Sequence, residues 1–298
     1  MKFLDVKTDY AFKKVFGSKN SKSKLISFLN SIVYQDSKVI IDDLTIVDPY
    51  NIPQLKGMKD TFVDVKAKLS DGTTVIIEMQ VLNHNGFEKR VLYNAAKNYS
   101  VQLNKAEDYH LLNPVIALTI VDFTMFKNSD KTITRFKLLE KDEFINYSDD
   151  IELIFVELPK FNKTEDELQN IKDEWIYFIK NAGSLEYVPT NLDKEIKEAL
   201  DVVNEAGLTK DELEAQHKRK EFISIQKLAV MKAKDDGFTK GLEEGIEKGI
   251  EQGIEKGKFE EKIEIAKNAY TSGLATSTIS QIVGIEEDEL IKLLKKYL

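Results

Sequence analysis

The sequence predicts a mixed α/β domain over residues 1–160, followed by an all-helical C-terminal region. Strand-like and helical patterns alternate up to about residue 160, as they do in domains whose helices cover a sheet. Residues 114–123 are almost continuously apolar, which is typical of a strand buried on both faces. After Pro159 the pattern is helical throughout. These observations together favour a helix-covered sheet over an all-β or all-α fold.

The composition restricts the chemistry that the chain can support. Its 298 residues suit about two domains, and 42% apolar residues suffice for a buried core. The absence of cysteine excludes disulfides, thiolate zinc sites and a cysteine nucleophile. With only three histidines, a histidine-rich zinc site or a Ser-His-Asp enzyme fits poorly. Any bound metal is expected to be a hard ion held by oxygen ligands.

Charge is unevenly distributed along the chain. The net charge is −8, yet residues 1–40 hold eight lysines against three acidic residues, and residues 141–215 hold 20 acidic residues against eight lysines. Because the N-terminal part is basic, nucleic acid is still a candidate partner. The N-terminus has no apolar signal segment, and no apolar run approaches the roughly 18 residues of a membrane span. We therefore expect a soluble, cytoplasmic protein without a membrane partner.

The individual elements follow from capping residues and periodicity. Thr8 predicts the N-cap of a short helix that ends at Gly17. Apolar residues along one side of the segment predict a second helix. Three strand-like runs follow, and a long helix is expected after them. The predicted helices are residues 9–16, 21–33 and 86–103, and the predicted strands are residues 39–47, 61–69, 73–82, 114–123 and 151–158.

Two of the predicted strands form a hairpin whose register follows from their alternating pattern. Residues 63–69 and 75–81 each place apolar side chains on one face and polar side chains on the other. A three-residue loop with Gly72 in a left-handed conformation lets the two apolar faces coincide. In that register, paired residue numbers sum to 142, and Asp64 lies opposite Glu78. A two-residue turn would mix apolar and polar residues on both faces, so we reject it.

Two neighbouring carboxylates repel each other, and proteins commonly resolve this with a cation or a shared proton. Asp64 and Glu78, with water and phosphate oxygens, suit Mg²⁺ or a similar hard ion. The alternative is a solvated polar face on which Asp64 pairs with Lys66 or Lys68. Spacing alone favours this alternative, because alternating charges are common on strands.

The hairpin and its flanking segments resemble a known family. The hairpin is similar to the D…(D/E)-x-K signature of the PD-(D/E)XK nuclease superfamily, and the longer pattern resembles its transposase-like branch, the Rpn (recombination-promoting nuclease) family. The similarity extends over most of the chain, including its C-terminal segment. The residues that carry it are TDYAFKKVFG at 8–17, Asp64, Glu78, Gln80, Phe87, Arg90, Tyr93, Tyr99, Gln102, Leu103, Tyr109 and the PVIALTI run at 114–120.

This resemblance implies a restriction-endonuclease-like core, meaning a mixed central sheet flanked by helices, and Mg²⁺-dependent endonuclease activity on double-stranded DNA linked to recombination or mobile DNA. Asp64 and Glu78 would bind the ion, with Mn²⁺ or Ca²⁺ as alternatives to Mg²⁺. The sequence departs from the superfamily pattern at Val63, where Pro is usual, and at Gln80, where Lys is usual. Gln can only form hydrogen bonds, whereas Lys also supplies charge. Lys66, on the same face as Asp64, is a candidate for that missing role.

Two further residues have both a functional and a structural interpretation. Asp9 stands near the start of the first helix, where the superfamily often has an additional metal ligand, although an acid there is also favoured by the helix dipole. Arg90, on the helix after the hairpin, is predicted to contact DNA phosphate. Its alternative is a surface pair with Glu88 or Glu107.

Lysines on the first two helices predict a DNA-binding surface. Attraction to phosphate supplies most non-specific affinity for DNA, and Lys13, Lys14, Lys22 and Lys24 lie in this basic segment. Each lysine taken singly is equally compatible with an ordinary solvated helix.

The sequence of the C-terminal half favours a role in assembly over a role in catalysis. We expect a helical region at 161–235, a helix or linker at 236–259 with Gly at every fourth residue, and a helix-turn-helix-like module at 260–298. Each Gly costs about 1 kcal/mol against Ala in a helix, so close packing against a partner must compensate if the repeat is helical. We therefore expect a homo-oligomer formed through these helices. A catalytically weak or inactive nuclease homologue acting in assembly is the alternative function.

Overall fold

The computed structural model describes residues 1–35, 40–51 and 61–297. The chain forms two compact units, Met1–Ile225 and Gln226–Leu298. Within the described residues, the first unit contains a six-stranded mixed sheet with helices on both faces. The predicted α/β fold class is therefore confirmed.

The large sheet has the strand order β1-β4-β5-β6-β8-β7. Its central pairs, β5 with β6 and β6 with β8, are parallel, and its outer pairs are antiparallel. The two short strands β2 and β3 pair separately. The strands are β1 Leu44–Val47, β2 Tyr50–Asn51, β3 Thr61–Phe62, β4 Val65–Leu69, β5 Thr74–Gln80, β6 Val115–Val121, β7 Ile133–Leu139 and β8 Asn146–Glu157.

Eight α-helices lie within the described ranges. They are α1 Asp9–Phe16, α2 Lys22–Ile32, α3 Phe87–Ser100, α4 Ile171–Asn181, α5 Lys194–Val202, α6 Lys210–Thr271, α7 Thr276–Val283 and α8 Glu287–Tyr297. Thr8 caps α1 as predicted, because its side chain accepts a hydrogen bond from the Ala11 N–H.

The sheet is buried on both faces by different helices. One face packs against α1, α2, α4 and α5, where Trp175 and three phenylalanines form an aromatic cluster. The other face packs against α3 and the loop after β6. All seven residues of β6 are buried, as expected for a strand between two helical layers. The α3 layer is the one that reaches the polar side of the predicted hairpin.

The structure differs from the predicted elements at several strands. The predicted strand at 61–69 is divided into β3 and β4, and β8 begins at Asn146, before the predicted residue 151. β7 was not predicted, because its Arg and Lys residues and exposed edge obscure the alternation. The first strand begins at Leu44, and the Val39 at which the prediction starts it lies outside the described residues.

The second unit has its own small core. Ala266, Ile279, Val283, Leu290 and Leu294 bring the end of α6 together with α7 and α8. Gly284, at the C-terminus of α7, has a φ of +67°, which a residue without a side chain adopts most easily. The glycine repeat lies within α6. In the described parts of the chain, no helix is both long and apolar enough to cross a membrane.

Candidate active site

The β4–β5 hairpin brings Asp64 close enough to Glu78 for its charge to raise the pKa of Glu78. Val65 pairs with Ile77, so paired residue numbers sum to 142, and the predicted register of β4 and β5 is confirmed. Gly72 closes the loop with a φ of +89°. The pairing ends at Val65, and the Asp64 N–H donates to the Ile77 carbonyl at 3.1 Å. Val63 packs in the core under α3 and Val65 in the core on the other face, so the alternation predicted for residues 63–69 breaks at Asp64.

Asp64 is largely buried, with 13% of its side chain exposed. Its Oδ2 atom accepts a 2.8 Å hydrogen bond from the Met79 N–H, and Lys13 Nζ lies 3.4 Å from Oδ1. Burial raises the pKa of Asp64, although the Met79 hydrogen bond and the Lys13 charge oppose that rise. The ion pair with Lys13 replaces the pairing with Lys66 or Lys68 that the sequence left open.

Glu78 also carries a buried carboxylate. Its side chain is 15% exposed and accepts a hydrogen bond from Arg90 Nη2 at 2.5 Å. Burial raises its pKa from 4.5 to about 7, and the charges of Asp64 and Asp9 add to this rise. The Arg90 guanidinium lowers the pKa, but burial outweighs it. Burial, more than an excess of negative charge, is what makes ionised Glu78 unfavourable.

Arg90 joins the two polar residues of β5. The same Nη2 atom that contacts Glu78 donates to Gln80 Oε1 at 2.6 Å, while Gln80 Nε2 donates to the Leu82 carbonyl at 2.7 Å. The surface pair with Glu88 or Glu107 is thus not what the structure shows. Arg90 instead belongs to the site, where it holds the Gln80 carboxamide in a fixed orientation.

Asp9 lies in the first turn of α1 and forms an ion pair with Arg219. Its Oδ2 atom accepts from Arg219 Nη2 of α6 at 3.1 Å, and its side chain is 53% exposed. Its charge is close enough to raise the pKa of Asp64 and Glu78. Among the described residues, no group of three or more His, Cys, Asp or Glu forms a ready metal site. Two carboxylates, with Asp9 beside them, are what the structure offers.

The predicted DNA-binding lysines differ in how accessible they are. Lys14 lies 3.6 Å from Glu212, and Lys22 forms an ion pair with Asp43. Lys24 is buried, and its ammonium donates to the Asn20 carbonyl at 3.2 Å. We therefore leave Lys24 out of the surface that DNA can reach.

Lys66 lies on β4 on the same side of the sheet as Glu78. Its partner across the hairpin is Ile76, which packs in the core under α3 and stands two residues before Glu78 on β5. Burial lowers the pKa of Lys66, and the neighbouring Lys68 charge lowers it further.

The structure adds site residues that the sequence did not single out. Asn94 of α3 and Thr119 of β6 lie beside Glu78, and Thr119 is its direct partner across the parallel β5–β6 pair. Arg90 and Asn94 are four residues apart, so they share one face of α3. The four-residue spacing was the only signal in the sequence that could have identified Asn94. It identifies a site residue only once this face of α3 is known to cover Glu78.

Comparison with known proteins gives one family. The model of the family described as "PD-(D/E)XK nuclease family transposase" matches residues 6–233. No curated protein and no solved structure matches the chain. The matched range contains the sheet, the helices on both of its faces and every site residue described above.

Proposed function

Because the chain belongs to the PD-(D/E)XK nuclease family transposases, we propose that it is a metal-dependent endonuclease that hydrolyses double-stranded DNA. We place it in the Rpn branch and link its activity to recombination or mobile DNA. We assign the chemistry to residues 1–160, residues 161–235 to a helical extension and residues 236–298 to assembly.

One observation carries the proposal. Asp64 and Glu78 are largely buried carboxylates that form ion pairs with Lys13 and Arg90, and burial still raises the pKa of both. A structural ion-pair network has little reason to keep a buried carboxyl whose pKa rises to about 7, because that ionised group costs stability. Strongly perturbed carboxylates are typical of functional sites.

The donor set fits Mg²⁺ or a similar divalent ion such as Mn²⁺ or Ca²⁺. Hard cations prefer carboxylate oxygens, and Asp64 and Glu78 would hold the ion, with Asp9 as a third ligand if it leaves Arg219. A bound ion would supply Lewis-acid stabilisation of the charge that develops on the phosphate.

Gln80 and Lys66 have complementary roles in this proposal. Arg90 and the Leu82 carbonyl orient the Gln80 carboxamide, which can hydrogen-bond the attacking water. Lys66, on the same side of the sheet as Glu78, is the candidate to accept the water proton at Nζ. Together they would substitute for the lysine that stands at position 80 in the superfamily pattern.

DNA contacts are assigned to cations around the site. Lys13 and Arg90 contact the acids now and would turn to phosphate oxygens when a divalent ion replaces them. Lys14 and Lys22, on α1 and α2, extend this basic surface. Such contacts give salt-dependent affinity without sequence readout.

The second candidate function is assembly without strong catalysis. It is favoured by Gln80 and by an apolar row on α6 whose side chains are each more than half exposed. That row consists of Phe238, Leu242, Ile246, Ile250 and Ile254.

Glycines beside the apolar row favour a second copy of the chain as its partner. They recur at every fourth residue, at 241, 245, 249, 253 and 257. Because glycine has no side chain, such a stripe lets a second helix pack closely against the row. We therefore propose a homo-oligomer.

Cleavage of supercoiled plasmid separates the two functions. We expect the full chain to nick or linearise plasmid with Mg²⁺, and to leave it intact with EDTA or after Asp64→Asn. That substitution keeps an acceptor for the Met79 N–H. A folded wild-type protein that cleaves no DNA with Mg²⁺ or Mn²⁺ would favour the assembly function.

A further inference from the structure

A row of polar side chains runs along the face of α3 that covers the sheet. Arg90, Asn94 and Asn98 are spaced four residues apart and therefore lie on one side of the helix. Asn94 and Asn98 are both 2% exposed. Among the described residues, the Oδ1 atom of each accepts no hydrogen bond. Buried amide oxygens normally have partners, so each of these two atoms calls for an explanation.

Asn94 differs from Asn98 in what it faces. Asn94 lines a small cavity of about 10 Å³ between α3 and the sheet, and Glu78 and Thr119 line the same cavity. The remaining lining residues are aliphatic. This volume suits one water molecule, provided that polar groups surround it. Asn98 does not line this cavity.

We propose that this cavity holds one ordered water that donates hydrogen bonds to Asn94 Oδ1 and to the Glu78 carboxylate. Asn94 is then a positioning residue that holds Glu78 from the side opposite the ion. Asn94 Oδ1 has no donor, and the Glu78 carboxylate can accept a hydrogen bond beside the one from Arg90, so one water can donate to both. The inference rests on the proposed function, because it assumes that Glu78 binds a divalent ion.

Replacing Asn94 with an apolar side chain should have opposite effects on metal affinity and on stability. Outer hydrogen bonds orient metal ligands, and removing one typically weakens metal affinity by about 10- to 100-fold. An apolar side chain of similar size removes the unpaired oxygen and fills the cavity, which favours the folded state. We therefore expect Asn94→Leu to weaken metal binding while leaving stability equal or higher. If Asn94 had only a structural role, Asn94→Leu would not weaken metal binding while leaving stability equal or higher.

The test measures Mn²⁺ affinity by isothermal titration calorimetry and stability by urea unfolding on the full chain. We expect Asn94→Leu to raise the Kd for Mn²⁺ by about 10-fold or more. Asn98→Leu is the matched control, since it removes an equally buried, unpartnered oxygen one turn away, and we expect its Kd to be unchanged. An unchanged Kd in Asn94→Leu, or an equal rise in both variants, would overturn the proposal.

A second pair of variants covers the case in which Asn94→Leu does not fold. Asn94→Ser keeps an oxygen for the water, and Asn94→Ala does not. We expect Ser to bind Mn²⁺ within about 3-fold of wild type and Ala to bind about 10-fold more weakly. Equal affinity in the two variants would refute the water bridge. Absence of Mn²⁺ binding in wild type would remove the metal site itself, and with it this inference.

Discussion

The raised pKa of Glu78 predicts that neutralising this residue stabilises the metal-free protein. The ionised carboxylate is destabilising in the folded state, since burial raises its pKa from 4.5 to about 7. A shift of that size corresponds to about 3 kcal/mol, at 1.36 kcal/mol per pKa unit. Glu78→Gln removes the charge and keeps an oxygen that can accept from Arg90.

The sign of the pH dependence follows from proton linkage. Between pH 4.5 and about pH 7, the folded protein holds a proton on Glu78 that the unfolded chain has lost. The stability of the wild type therefore falls as pH rises through this window. The variant has no such proton. Its advantage should be near zero at pH 4.5 and should reach up to about 3 kcal/mol at pH 8.

Urea unfolding in EDTA at pH 4.5, 6, 7 and 8 measures this difference. The single tryptophan, Trp175, is fully buried in the same unit and reports its unfolding by fluorescence. Glu186→Gln changes an exposed carboxylate and serves as the control. We expect its free energy of unfolding to differ from that of the wild type by the same amount at every pH, within about 0.5 kcal/mol. A Glu78→Gln protein that is less stable than wild type at pH 8, or equally offset at every pH, would refute the reasoning.

Three further predictions test the surrounding structure. Lys14→Glu with Lys22→Glu should weaken duplex DNA binding and reduce the salt slope by about 0.9 per lost phosphate contact, measured by fluorescence anisotropy; an unchanged slope would place the DNA elsewhere. Glu157→Ala should destabilise the fold by about 3 kcal/mol in urea, because the buried carboxylate accepts two backbone N–H groups and a lysine ammonium; a loss below about 1 kcal/mol would contradict this. Ile246→Asp with Ile250→Asp should lower the mass in light scattering to that of a monomer, whereas a monomeric wild type would remove the assembly role.

The predictable part of the site was the part fixed by alternation along strands. Burying one apolar face of each strand left a single acceptable register, so the pairing of residues 65–68 with residues 74–77 followed from the sequence. Gly72 could be assigned to its positive φ for the same reason. These are short-range constraints, and the sequence carries all of them.

The partners of the acids could not be predicted, because they come from distant elements. Lys13 reaches Asp64 from α1, and Arg219 reaches Asp9 across 210 residues of sequence. The burial of Asn94 depends on how α3 packs on the sheet. No local pattern specifies such contacts.

The most direct test of the metal site is a crystal structure of the full chain soaked in Mn²⁺, with anomalous diffraction data. We predict an anomalous peak bound by carboxylate oxygens of both Asp64 and Glu78, with Arg90 displaced from Glu78. A peak elsewhere, or none at the hairpin while Arg90 still contacts Glu78 at millimolar Mn²⁺, would contradict the assignment of these two carboxylates as the metal ligands.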